Sequence, residues 1–230
     1  MQERTADTKA STVEAFVLGV YLKPTLVAFL KKGGRLSALA NAIGKADLWL
    51  YNPPEKVDVR DYLAFMQAAS ELCHDPYIGL LSGQLADLSS FDLLGDALGL
   101  SNTLADALQQ VMALERLVHR LGDSSVQAEG SDIRLIWRSR YQNHPAIRLV
   151  SENVLAGIVQ LAQTLTGRSL PIREMTFMNA KPERYIEKQY QALCQGICRF
   201  SQPYNSLLIA RNVLDWPLKK MSMGGAEPGK

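Results

Sequence analysis

The sequence predicts an α+β fold, with an N-terminal helical layer packed on a C-terminal antiparallel sheet with interspersed helices. Apolar residues recur at three- and four-residue intervals as far as Leu121, then switch to two-residue alternation beyond Gly122. Strands that arrive only after a run of helices favour segregated α+β layers over alternating βαβ units. With 230 residues, 47% of them apolar and 21% charged, the chain is long enough to bury a substantial core.

The elements follow in order. Residues 1–10 are polar and expected to be disordered. From Ser11 or Thr12, the positions Ala15, Phe16, Leu18, Val20, Leu22, Leu26, Val27 and Leu30 fit a helix interrupted near Pro24, and Gly33-Gly34 stops it. Shorter helices fit Ser37–Gly44, Val59–Cys73 with Asp58 as its cap, and Tyr77–Leu85. Over Thr103–Leu121, the residues Leu104, Ala107, Leu108, Val111, Leu114, Val118 and Leu121 form one apolar stripe, and Thr103 with Asp106 makes a capping arrangement. Ser125–Glu129 and Ile133–Arg140 read as a hairpin turning at Gly130-Ser131-Asp132. Pro145 opens a long helix that Gly167 stops and Pro171 keeps from restarting. Then come a strand (Ile172–Met178) and a helix opened by Pro182 that carries Tyr185 and Tyr190. A Cys198-Arg199-Phe200 segment, a turn at Pro203–Asn205 and a strand (Leu207–Ile209) complete the layout.

Composition excludes several classes. A formal net charge of +2 is too small to mark a nucleic-acid surface. No stretch is long and apolar enough to span a bilayer, and the start lacks the pattern of a signal peptide. Cys73, Cys194 and Cys198 are too few for a disulfide framework and predict a reducing, cytoplasmic setting. They are expected to be buried thiols, since the Cys194-x-x-x-Cys198 spacing and Cys73-His74 do not make a four-ligand zinc set; no metal and no cofactor is predicted. There is no Gly-x-Ser-x-Gly, phosphate loop, dinucleotide fingerprint or metalloprotease helix, so the chain is not expected to be an enzyme.

Two segments imitate a helix-turn-helix, Arg35–Gly44 and Ala97–Leu104, but neither is followed by side chains that read bases, and both are expected to pack as core. Leu93-Leu94-Gly95 is read as packing around a glycine rather than a phosphate cradle. The strand Ile133–Arg140 holds the best polar constellation. Alternation puts Arg134, Ile136, Arg138 and Arg140 on one face and Ile133, Leu135 and Trp137 on the other. Guanidiniums in such a row can clamp a phosphate or carboxylate, and the Arg134-x-x-x-Arg138 spacing also occurs in cyclic-dinucleotide receptors; the alternative is a solvated outer sheet face. Arg134, Trp137, Arg138, Arg140 and Tyr141 are therefore the candidate ligand-binding residues, and at most one face can line any single pocket.

The order of motifs resembles a known regulatory domain. Asp75-Pro76-Tyr77-Ile78-Gly79-Leu80, the Leu93-Leu94-Gly95…Thr103-Leu104-Ala105-Asp106-Ala107-Leu108 run and the closing Leu214-Asp215-Trp216-Pro217-Leu218 resemble the arabinose-binding-like effector domain of AraC-type transcription regulators. The resemblance spans about Thr12 to Leu218. It implies one effector-binding and dimerisation domain over 11–218 and a flexible tail over 219–230, without the DNA-binding helix-turn-helix pair of that family. The implied partners are an unidentified small-molecule effector, a second copy of the chain in a homodimer, and DNA only through the missing domain, with no membrane. The alternatives are a ligand-free dimerisation module and a small-molecule enzyme.

Overall fold

A computed structural model describes residues 15–90, 97–98, 100–182 and 186–219. The chain enters as a short strand, β1 (Phe16–Leu18), where helical spacing predicted a helix. It pairs antiparallel with β2 (Lys56–Asp58), Val17 opposite Val57, and all three β1 residues are buried. The apolar run there serves a strand buried on both sides, which periodicity cannot separate from a helix. After a 3-10 turn, α1 (Leu22–Lys31) begins, with Pro24 in its first turn where no intrahelical N–H is required. Next come α2 (Leu36–Ala42), α3 (Asp47–Tyr51), α4 (Val59–Leu72) and α5 (Ile78–Gln84). Asp58 caps α4 by accepting the Arg60 N–H at 2.7 Å.

α6 (Leu104–Val118) starts on the capping box the sequence announced, Thr103 Oγ1 accepting from the Asp106 N–H and the Asp106 carboxylate accepting from the Thr103 N–H. It stops three residues before Leu121, because His119 turns extended and bridges Val17 of β1. The hairpin β3 (Gly122–Glu129) and β4 (Asp132–Ser139) follows, then α7 (Ile147–Thr166), ended by Gly167 in the left-handed conformation at φ +69°. β5 (Ile172–Thr176), α8 (Glu187–Gln191), β6 (Ile197–Arg199) and β7 (Asn205–Ala210) close the fold. The described part of the helix expected from Pro182 is the single turn and a half of α8, and Tyr185 lies outside the described residues. So do Leu93-Leu94-Gly95 and most of both chain termini.

The five-stranded sheet runs β3-β4-β7-β5-β6 and is antiparallel except for the β5–β6 pair. Its inner row, with Ile133 opposite Ile209 and Leu135 opposite Leu207, continues through Met175 and Ile172. The N-terminal helices form a layer on the sheet as the sequence predicts, and α7, the long helix expected after Pro145, runs through that layer. Leu149 and Val150 join the N-terminal helices, Leu155, Ala156 and Val159 meet the sheet, and Leu161 and Leu165 meet β1 and α6. Against α7 lies α5, whose Gly79 and Gly83 leave room for its backbone: a Cβ on Gly79 would overlap the Leu149 carbonyl, and one on Gly83 would overlap Ala156 and Asn153.

Candidate functional site

Where α6, α7 and the hairpin converge, the packing is incomplete. One cavity of about 70 Å³ is lined almost wholly by apolar side chains, among them Leu104 and Leu108 of α6, Ile158 and Ala162 of α7, and Leu135 and Trp137 of β4. A second, of about 90 Å³, lies toward α1 and α5, with Tyr21, Ala86, Asn153 and Gly157 in its wall. Val111, Ser124, Ile158 and Leu161 line both, so the two are adjoining lobes. Together they match in scale a dry apolar cavity of about 150 Å³ that accepts benzene.

The second lobe has a polar end. Glu115 and His119 sit one helical turn apart at the end of α6, both buried, with His119 Nε2 3.7 Å from Glu115 Oε1. Both Glu115 oxygens accept from Ser124, one from its N–H at 2.7 Å and one from its hydroxyl at 2.8 Å. Burial pushes the Glu115 carboxyl above its ordinary value, against the pull of those hydrogen bonds. Burial also lowers His119 to about 4, so the imidazole is neutral at pH 7. Its ring meets Tyr21 edge-on at 5.8 Å, and its Nδ1 has no hydrogen-bond partner among the described residues. Trp137, also buried, likewise has an unpartnered Nε1.

Glu115 was legible as an anomaly, since it lies four residues after Val111 and so falls within the apolar stripe of α6. His119 repeats the step.

The five residues singled out from the sequence are not gathered at one place. Trp137 is in the wall of the apolar lobe; Arg134, Arg138, Arg140 and Tyr141 are in neither wall. Arg134 is 7% exposed and bonded to Glu129, to Glu174 at 2.9 Å and to Ser206 at 3.0 Å. Arg138 is exposed and reaches Ser125 Oγ at 3.2 Å, while Arg140 grips Asp123 through Nε and Nη2. Arg134 and Arg140 are thus already engaged by carboxylates of this chain, which would compete with an anionic ligand. Tyr141 packs against the N-terminal core.

A second buried polar group lies on the far side of α7. Glu152, fully buried and raised to about 7 by desolvation, accepts from Tyr190 Oη and from Arg148 Nη1, both at 2.7 Å. It ties α7 to α8 beneath the sheet. Burial raises all three thiols, Cys198 to about 12, so none is a ready nucleophile. Among the described residues no three His, Cys, Asp or Glu side chains gather as metal ligands, and no helix is long and apolar enough to cross a membrane.

Comparison with known proteins agrees with this architecture. The profile of the family described as the arabinose-binding domain of AraC transcription regulators, N-terminal, matches residues 33–218. The ornithine utilization regulator of Pseudomonas aeruginosa is 22% identical over 169 residues, covering 74% of this chain and 49% of its own length. The chain therefore spans about half the length of that curated relative. The crystal structure of the transcriptional regulator CdpR from Pseudomonas aeruginosa superposes with a TM-score of 0.61 at 11% identity, over 88% of this chain and 58% of that one. At that identity the likeness is one of fold.

Proposed function

We propose that this chain, which belongs to the family of N-terminal arabinose-binding domains of AraC transcription regulators, senses a small molecule in the two-lobed cavity and passes the signal on through its last described segment. One observation carries the reading: the cavity and the chain's exit share the same two helices. Leu214 lines the apolar lobe. Just beyond it, Trp216 accepts from the Leu104 N–H at 3.0 Å, Pro217 bridges Thr103, the Leu218 N–H donates to Asn102, and the Lys219 N–H donates to Leu165 at 2.7 Å. Leu104 and Leu165 are themselves cavity wall. A ligand that spreads α6 from α7 therefore strains the segment 214–219 directly, and one that fits without spreading them holds it.

Such coupling works only through unequal affinity for two arrangements, since equal binding to both shifts nothing. In a full-length regulator the signal would act on a DNA-binding part, and the expected homodimer belongs to the same proposal. The exposed Met112 and Leu117 of α6 are candidate contacts between copies, and sedimentation equilibrium of the chain with and without ligand tests them. The sensing itself is tested by a thermal-shift series against small molecules of graded polarity, run in parallel on Ile158→Trp, which fills the wall common to both lobes. Binding to the folded state alone raises the melting point in step with ligand excess, and the variant should lose that response. A folded dimer that responds to nothing would replace the sensor with a ligand-free dimerisation module.

A further inference from the structure

Resting on that reading, we propose that the effector is an amphiphile whose head donates a hydrogen bond and carries no negative charge, such as a hydroxyl, amide N–H or ammonium group, with an apolar body no larger than a single ring and a short chain.

The body is set by the apolar lobe together with the Val111, Ile158 and Leu161 wall it shares with the other, since about 70 Å³ by itself is too small for a ring. That wall is aliphatic apart from the Trp137 indole and the Ser124 and Ser125 edges, so a sugar's shell of hydroxyls would lie there without partners. Polar groups placed there without partners would be bound at a loss. The head is set by the other lobe, through two side chains.

Glu115 puts a buried carboxylate at the end of that lobe, accepting from Ser124 on both oxygens and still holding free lone pairs. Arg116 and Arg140, whose fields reach this end, are both turned to Asp123, at 3.1 and 2.9 Å, and so do not neutralise it. A second negative charge entering here would be desolvated beside a like charge, with no cation released to meet it.

His119 is neutral, so one of its ring nitrogens carries a lone pair. Nε2 lies 3.7 Å from Glu115 Oε1, beyond hydrogen-bond reach, and Nδ1 has no partner among the described residues. A donor on the ligand meets that lone pair, whereas a carboxylate or phosphate would lie beside the Glu115 carboxylate.

Four probes with one body, three of them with a different head and one with none, separate the claims: 2-phenylethanol, 2-phenylethylamine, phenylacetate and ethylbenzene, titrated into the 230-residue chain by calorimetry and thermal shift. The alcohol and the amine should bind at least tenfold more tightly than phenylacetate, an interval of about one charge-assisted hydrogen bond. His119→Leu should weaken the alcohol about tenfold and leave ethylbenzene alone, which also shows that the variant keeps its cavity. Glu115→Gln should narrow the gap between amine and phenylacetate. Phenylacetate binding as tightly as the alcohol, or an unchanged ratio of amine to phenylacetate affinity in Glu115→Gln, overturns the head-group assignment while leaving the sensor standing. Silence from all four probes, ethylbenzene included, removes the cavity as a binding site and both readings with it.

Discussion

Two buried titratable groups shift in opposite senses, and this determines how the stability of the chain depends on pH. His119 falls from an ordinary 6.5 to about 4, mainly through burial. Its contribution is complete above 6.5, where it is neutral in both states, and is lost as pH falls toward 4, because the unfolded chain takes up the proton first. Glu152 rises from an ordinary 4.5 to about 7, again mainly through burial. Its contribution is complete below 4.5 and is lost as pH rises toward 7, since the unfolded chain releases its proton first. At about 1.4 kcal/mol per pH unit, each group is worth about 3 kcal/mol across its range. Between pH 4.5 and 6.5 the slopes oppose one another and largely cancel, with Glu115, also raised, adding to the Glu152 side. Three salt-bridged carboxylates act lower still: arginine pairing holds Asp58, Asp123 and Glu129 below their ordinary values, so their contributions fade only in stronger acid.

The expected outcome is a wild-type chain whose urea stability varies by only about 1 kcal/mol over that window. Replacing His119 by Gln leaves the Glu152 slope exposed, so stability should fall by about 2–3 kcal/mol as pH rises from 4.5 to 6.5. Glu152→Gln keeps an acceptor for Tyr190 and Arg148 and should give a rise of similar size instead. Urea titrations at half-unit pH steps, with slopes compared at constant m, read this directly. Two variants whose profiles run parallel to the wild type would refute the reasoning, because neither group would then titrate differently in the folded and unfolded chain.

Other outcomes follow from the packing. Gly79→Ala drives a methyl into the Leu149 carbonyl and should cost about 1–3 kcal/mol, read as a lower urea midpoint at unchanged m. Arg134→Leu leaves Glu129 and Glu174 without their shared cation. Because both carboxylates keep some solvent, the loss should be about 2–3 kcal/mol, less than for a fully dry pair, and a salt titration should weaken it further in the wild type than in the variant. Thr103→Ala removes the acceptor for the Asp106 N–H and should cost about 1 kcal/mol, with faster amide exchange confined to the first turn of α6.

Much of this fold was readable from local signals. The Asp58 cap, the Thr103–Asp106 box, the Gly130 hairpin and the Gly167 stop each depend on the chemistry of a few neighbouring residues, and such chemistry survives in a bare sequence. Phe16–Leu18 was read as helix because three consecutive buried apolar residues carry no period, and only pairing with β2 decides their state. The end of α6 was placed at Leu121 because the stripe runs on, whereas the bridge from His119 to Val17 breaks the helix earlier.

The arginine row shows the same division. Alternation alone determined that Arg134 and Arg138 share a face and that Trp137 faces away from them. Whether those guanidiniums stood free was decided by Glu174, distant in sequence, and by Asp123 and Glu129 on the neighbouring strand. The cavity belongs wholly to the tertiary level. It exists because α6, α7 and a twisted hairpin, each well formed by local rules, meet at angles their side chains do not fill, and a void between elements leaves no trace in the spacing of any one of them.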